Sequence, residues 1–172
     1  MAKRCTWVAG LLLAAGLGLA GGVVAQDPAP PGTAAPAAPV TGTGDARMDA
    51  RLADMDQYGA RYREAFVDEL VRYHAAPRSL AGVLLEDEGW RPGDLYYACA
   101  VAEVVGRPCR HAIEQWRAHR ADGWQAVAAR MGVAPGSPAF ARIAEGIEAS
   151  YLRWGRPLPA VEPAPEPAPD AE

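Results

Sequence analysis

Between residues 45 and 156, prolines and glycines stand at opposite ends of short runs of apolar residues. Pro77, Pro92, Pro108 and Pro138 each head such a run. There a missing N–H and a fixed φ suit the first turn of a helix, whereas inside a helix they would break it. Gly89, Gly106, Gly123, Gly132 and Gly155 each follow a run, where a left-handed residue closes a helix. No stretch of four or more residues alternates as a half-buried strand does, and β-branched residues are sparse. The chain is therefore expected to be all-α, a compact bundle of about six helices.

The expected helices span about 45–74, 77–88, 92–105, 108–121, 124–131 and 137–154. The first points Leu52, Met55, Tyr62, Phe66, Leu70 and Tyr73 inward at three- and four-residue spacing, with Gly59 as a place for a kink. The third is apolar on nearly every side: Leu95, Ala98, Cys99, Ala102 and Val105 mark one face, Val101 and Val104 another. A helix of that kind belongs at the centre of a bundle. The fourth offers Cys109, Ala112, Ile113 and Trp116, and the fifth Trp124, Val127, Ala128 and Met131. The sixth starts with Ser137 as cap and Pro138 in its first turn. About 110 residues suffice for one modest core.

The flanks differ in kind. Residues 1–25 combine Lys3 and Arg4, an apolar run from Trp7 to Val24, and Val23-Val24-Ala25 before Gln26. This is the build of a secretory signal peptide. Cleavage after Ala25 leaves a periplasmic or secreted protein with no membrane span, whereas a retained run would anchor it to the inner membrane. Residues 26–44 form a Pro/Ala/Gly linker, and 157–172 repeat Glu-Pro-Ala-Pro. Both bury too little to offset ordering entropy and are expected to be disordered. Either could reach about 50 Å if extended. Of 172 residues, 17 are basic and 21 acidic, a net charge of −4. Residues 45–156 hold 15 arginines against 16 carboxylates, so the domain is close to neutral and lacks the basic excess of a nucleic-acid binder.

Three strings stand out together: Gly89-Trp90-Arg91-Pro92-Gly93-Asp94, then Gly106-Arg107-Pro108, then Gly123-Trp124 through Met131-Gly132-Val133 to Pro135-Gly136-Ser137-Pro138-Ala139-Phe140. The combination resembles a segment of small, uncharacterised exported helical proteins of bacteria. It covers about residues 89–143 and implies an all-helical fold, but brings no activity, cofactor or catalytic residue. Gln125 replaces a more usual glycine, and Cys109 a more usual aliphatic residue.

Candidate sites are few. A helix that buries Leu95, Ala98 and Cys99 cannot easily hide Tyr96 and Tyr97 as well. With Trp90 they are candidates for an aromatic binding patch, against the plainer role of core filling. Cys99 and Cys109 are the only cysteines after residue 25. In an oxidising compartment they are candidates for a disulfide. A tight antiparallel hairpin would hold their Cα atoms beyond the ~7 Å limit, while a steep crossing would bring them together. Unbonded, they are small buried hydrophobes.

His111, Glu114, Gln115 and His119 share part of one helical face, but at no standard zinc spacing, so no metal site is assigned. His74 closes the first helix and suits its negative end. Glu86-Asp87-Glu88 form an acidic knuckle before Gly89. Trp124 to Phe140 can be read as a helix-turn-helix, but Arg142 and Arg153 are matched by Glu145 and Glu148. Ser79, Ser137 and Ser150 belong to no nucleophile motif, and no phosphate loop occurs.

The expectation is a non-enzymatic interaction module of the cell envelope, with an unidentified envelope protein or polymer as partner, no nucleic acid and no cofactor. The alternatives are an envelope polymer hydrolase using the carboxylates near Glu86, or, if the chain is not exported, a DNA-binding helix-turn-helix. The exported protein is expected to begin at or close to Gln26. Mass spectrometry of its N-terminal peptide checks this, and a mature peptide containing Trp7 overturns it.

Overall fold

The structure, a computed structural model, describes residues 42–160. The expected signal peptide, linker residues 26–41 and tail residues 161–172 lie outside the described residues. Among the described residues the chain is all-helical, with α1 Ala46–Arg61, α2 Arg63–Tyr73, α3 Arg78–Gly82, α4 Pro92–Val104, α5 Cys109–His119, α6 Gly123–Arg130 and α7 Pro138–Arg153. α3 runs on into a π-helical turn at Val83–Asp87, and a 3-10 turn at Arg120–Asp122 joins α5 to α6. None of these helices is long and apolar enough to cross a membrane.

α4 is the axis of the bundle. Every residue from Gly93 to Ala102 is buried, as an all-round apolar sequence requires. α1 crosses it at very short range. A Cβ on Gly93 would stand 2.4 Å from the Leu52 carbonyl oxygen, and one on Gly59 would stand 2.5 Å from Pro92 Cβ. Gly59 therefore serves close approach rather than a kink. The chain bends three residues later at Tyr62 (φ −123°, ψ 54°), which divides the long first helix into α1 and α2. The bend also turns the following face, so Tyr62 and Tyr73, expected inside, are about half exposed.

The close crossing delivers a cap. Arg91, the residue before α4, makes no side-chain capping bond of its own. Instead Asp56 of α1 accepts the Gly93 N–H at 2.8 Å and the Arg91 Nε–H at 2.9 Å. The first-turn donors of a helix have no partner within it, and a carboxylate there is favoured by both hydrogen bonding and the helix dipole.

Two of the recurring strings meet in the core. The Trp124 indole N–H donates to Asp94 Oδ1 at 2.7 Å, joining the start of α6 to the start of α4. Trp116 stacks on Trp124 with centroids 4.1 Å apart, and Tyr97 meets Trp124 edge-on at 5.1 Å. Burial pushes the Asp94 carboxyl above the usual carboxylate range, and the indole hydrogen bond pulls against it. Gly89 and Gly123 both have positive φ, 65° and 77°, so each tryptophan follows a reversal that glycine makes at no steric cost.

The ordered fold reaches back at least to Gly42, three residues into the stretch expected as linker. Thr43 is fully buried; its N–H and hydroxyl both donate to Asp49 Oδ1 at 2.8 Å. The Gly42 carbonyl accepts the Gln125 N–H at 3.1 Å. A threonine among prolines and alanines carries no apolar signal, yet its two donors match one carboxylate.

Cys99 and Cys109 form a disulfide, with Cα atoms 4.3 Å apart. The turn at Gly106 (φ 68°) carries the start of α5 back against α4. The bridge closes a short loop, and in the chain-entropy view this contributes about 2–3 kcal/mol. Reduction is expected to lower unfolding free energy by that amount, measured by denaturant titration with and without reductant. Cys99→Ala/Cys109→Ala should show the same loss and no further response to reductant.

Candidate functional site

The aromatic residues expected at a binding patch are not at the surface. Trp90 is 7% exposed and Tyr96 and Tyr97 are 0% exposed. For the tyrosines the reason is the position of α4, which is buried from Gly93 to Ala102; Trp90 precedes α4 and is held by its N–H on the Leu84 carbonyl at 2.9 Å. Tyr96 bonds Ser150, and Tyr97 packs on Trp124. Burial pushes both phenol groups well above their ordinary titration range. Trp90, Tyr96 and Tyr97 are thus core residues of the isolated domain.

The buried Tyr96 leads to a polar network joining three helices. Its hydroxyl lies 2.7 Å from Ser150 Oγ of α7. Ser150 donates to Glu69 Oε1 of α2 at 2.7 Å, and Tyr96 accordingly donates to Ser150. Arg153 donates from Nε to Glu69 at 3.0 and 3.2 Å and from Nη2 to Ser150 Oγ at 2.9 Å. Its guanidinium lies 3.8 Å from the Tyr73 ring centroid, so one side chain ties α7 to two residues one turn apart in the C-terminal half of α2. Glu69 is 5% exposed, and its charge is compensated by this arginine. Ser150 is fully enclosed and bonded on every side, which is the position of a structural link rather than of a nucleophile.

Beside this network sits His74, immediately after α2. The chain reverses there through Ala75, whose φ is +49°. The N–H groups of His74 and Ala76 both reach the Leu70 carbonyl at 3.1 Å. His74 was expected to serve the end of its own helix; instead Nδ1 lies 2.7 Å from Glu103 Oε2 in the last turn of α4, with the ring edge-on to Tyr96 at 4.5 Å. A carboxylate only accepts, so the neutral ring carries its proton on Nδ1. The Nε2 lone pair is buried without a partner. Burial pushes the His74 pKa down, while Glu103 opposes the shift.

Above these groups α2, α4 and α7 enclose an open groove of about 650 Å³. Its floor is made of small and aliphatic residues: Ala100 and Val104 from α4, Ile143, Gly146 and Ala149 from α7. Tyr73, Glu103, Arg142, Glu145 and Arg153 form the rim. Arg142 also donates to the Val104 carbonyl at 3.0 Å, covering the end of α4. Gly146 lies inside α7, has no positive φ, and a Cβ there would meet nothing within 4 Å. Neither backbone geometry nor packing requires glycine at that point.

The other candidates are dispersed. Glu86, Asp87 and Glu88 are exposed, and Glu88 is held by Arg117 at 2.5 and 2.6 Å. His111 and Gln115 are half-buried while Glu114 and His119 are exposed. Among the described residues no group of three or more His, Cys, Asp or Glu side chains is placed to hold a metal ion. α7, the second helix of the possible helix-turn-helix, buries Phe140, Ile143, Ile147 and Tyr151, and its Arg153 is engaged by Glu69. Compared with protein-family models, curated proteins and solved structures, the chain finds no match.

Of the residues in and beneath the groove, Glu69 and Glu103 are not singled out by the sequence, and Ser150 and Arg153 enter it only as a serine outside any nucleophile motif and an arginine balanced by carboxylates. For two of them a signal existed. Glu69 falls on the stripe Phe66, Leu70, Tyr73, and Ser150 on the stripe Ile147, Tyr151, Trp154. A polar residue on an apolar stripe must find a buried partner.

Because the folded-state pKa of His74 lies below its unfolded value, the unfolded chain binds more protons near that range. This contribution to stability is fully present above the unfolded pKa of about 6.5 and falls as pH drops toward the folded value. Unfolding free energies at pH 7.5 and 5.5 should therefore differ by more in the parent protein than in His74→Gln. Equal pH slopes in the two proteins would remove the argument.

Proposed function

We propose that this chain is an exported, non-enzymatic interaction module of the cell envelope, receiving an amphipathic helix of a partner protein in the α2–α4–α7 groove. The observation that carries the reading is Gly146. A glycine inside a helix costs about 0.5–1 kcal/mol relative to alanine, and here nothing in the fold calls for it. What it leaves open is the groove floor, level with Ala100 and Ala149. Small residues let a second helix approach closely, and the groove volume falls in the ~300–1,000 Å³ range of ligand sites. The rim sets the partner's chemistry: Arg142 takes a carboxylate, Glu103 and Glu145 take cations, and the floor takes an apolar stripe.

The address comes from residues 1–25 and from the resemblance to exported bacterial proteins. The Pro/Ala segments on either side act as spacers between the domain and its surroundings. Neither alternative gains a comparable feature, since the Glu86 knuckle is exposed and tied to Arg117, and the arginines of α7 are balanced by carboxylates.

A photoreactive residue at Ala149 tests both halves in the native envelope. Cross-links should form in the envelope fraction, map to a partner helix with an apolar stripe, and disappear when Gly146→Leu fills the floor. Gly146→Ala should stabilise the domain by about 0.5–1 kcal/mol in denaturant titration while reducing the cross-links, less than Gly146→Leu does. Cross-links unaffected by Gly146→Leu, or an intact chain confined to the cytosol, would overturn the proposal.

A further inference from the structure

We infer that a second site, where the end of α4 meets α5 and the end of α6, binds a phosphate group. Arg107, His111, Gln115 and Arg130 converge there on a hollow of about 380 Å³, edged by Val105 and Met131. No lining residue is a carboxylate, and each of the four polar side chains carries N–H groups that can donate. The hollow shares no residue with the α2–α4–α7 groove, so it stands apart from the reading given above.

Three observations make this more than a scatter of surface arginines. First, Arg107 is exposed and forms no salt bridge among the described residues, and Glu103, one turn earlier on α4, is engaged by His74. Arg130 gives one nitrogen to Asp122 at 2.5 Å and keeps its other N–H groups. Second, the backbone that carries Arg107 is fixed. Arg107 N–H bonds the Ala102 carbonyl at 2.8 Å, Gly106 makes the reversal, and the residue lies inside the loop closed by the Cys99–Cys109 disulfide. His111 and Gln115, four apart on α5, reach the hollow from one helical face.

Third, charge is segregated along the chain. Residues 105–133 carry five arginines against Glu114 and Asp122, whereas residues 45–104 carry seven arginines against twelve carboxylates. The hollow lies within the positive part of a domain that is close to neutral overall, and such a concavity concentrates anions.

The arrangement of donors selects the anion. A carboxylate offers two oxygens in one plane, which a single guanidinium satisfies. Donors arriving from three separate elements suit a tetrahedral group with oxygens in several directions, and arginine is well matched to phosphate. The hollow is larger than a bare phosphate needs, and Val105 and Met131 give it an apolar edge. It therefore suits either free phosphate or the phosphomonoester headgroup of a lipid, two sources with one chemistry.

The oxidised protein, taken without residues 1–25, is titrated calorimetrically with inorganic phosphate. In parallel it is floated with phosphatidylcholine vesicles with and without phosphatidic acid. Saturable binding to phosphate identifies the free anion as ligand; binding only to phosphatidic-acid vesicles identifies the headgroup. In either case Arg107→Gln and Arg130→Gln should each weaken binding by about tenfold or more, while Arg110→Gln and Arg120→Gln, which remove the same charge outside the hollow, should change it less than twofold. Arg107 is exposed and forms no salt bridge among the described residues, so its variant keeps the fold even if Arg130→Gln loosens α6. Gly146→Leu should leave this binding intact. No saturable binding to either probe, or equal losses in all four arginine variants, overturns the site.

Discussion

A helix enclosed on every side depends on other helices to satisfy its ends. α4 is such a helix over Gly93 to Ala102, and side chains from α1, α6 and α7 and from the end of α2 bond at its two termini. At the N-terminus, Asp56 of α1 takes the Gly93 N–H, while Asp94 takes the indole N–H of Trp124 and so fixes α6. At the C-terminus, Arg142 of α7 covers the Val104 carbonyl and Glu103 holds His74 at the end of α2. A capping interaction is worth about 1 kcal/mol, small beside the burial of the helix itself. Burial is non-directional, however. It is these end bonds that choose which neighbour lies at which end, and with it the register of α1, α6 and α7 against the axis.

That division explains which parts of the fold were legible in the sequence. The all-α class, the central place of the 92–105 segment and the turns at Gly89, Gly106 and Gly123 follow from periodicity and backbone sterics, which are local. The break at Tyr62 is not local. Gly59 is the residue a sequence offers as a weak point, yet its missing Cβ is used to admit Pro92. The π-helical turn after α3 is equally hidden: periodicity points Leu80, Val83 and Leu84 inward, whereas with the wider turn Ala81, Leu84 and Leu85 are buried and Val83 is 45% exposed. The disulfide turned on a distance between two helices, and no spacing between cysteines contains it. Tyr96 and Tyr97 show the same limit in reverse: counting faces suggested that one of them must emerge, but a helix at the centre has no outer face.

The candidate groove was the least legible part, because its chemistry is assembled from residues far apart in the chain. Glu69 and Ser150 are 81 positions apart and Glu103 and His74 are 29 apart. Individually each has an ordinary explanation: a charge on a helix, a small polar residue near a C-terminus, a histidine at a helix end. Together they form a bonded layer under the groove, in which Tyr96 donates to Ser150, Ser150 to Glu69, and Arg153 neutralises the carboxylate. With Glu69 buried and Arg153 partly exposed, desolvation of the carboxylate offsets attraction and the pair gives little net stability. Its geometric demand is strict, and here it holds α2 and α7 at a separation that leaves the space above them unfilled.

Two local choices at that space run against the rest of the sequence. Glycine elsewhere makes reversals of positive φ or, inside helices at Gly59 and Gly93, admits a close neighbour, and only Gly82 among the other helical glycines shares with Gly146 a Cβ position that meets nothing within 4 Å. In the groove lining at Gly146, and beside it at Ala75, which follows His74, the assignment is inverted. Alanine stands at the left-handed residue 75, where a residue with a Cβ costs about 1–2 kcal/mol. Glycine stands inside α7 at 146, where alanine would be better by about 0.5–1 kcal/mol. Exchanging the two residue types would relieve both costs, and no packing contact at Gly146 prevents its half of the exchange. A departure from local preference is expected where a site is under a second demand, and Gly146, unlike Gly82, lines the groove. The open floor at Gly146 is the form that demand takes here. An alanine there would project its methyl group toward any helix laid in the groove, and anything larger would occupy the volume that the layer beneath holds open.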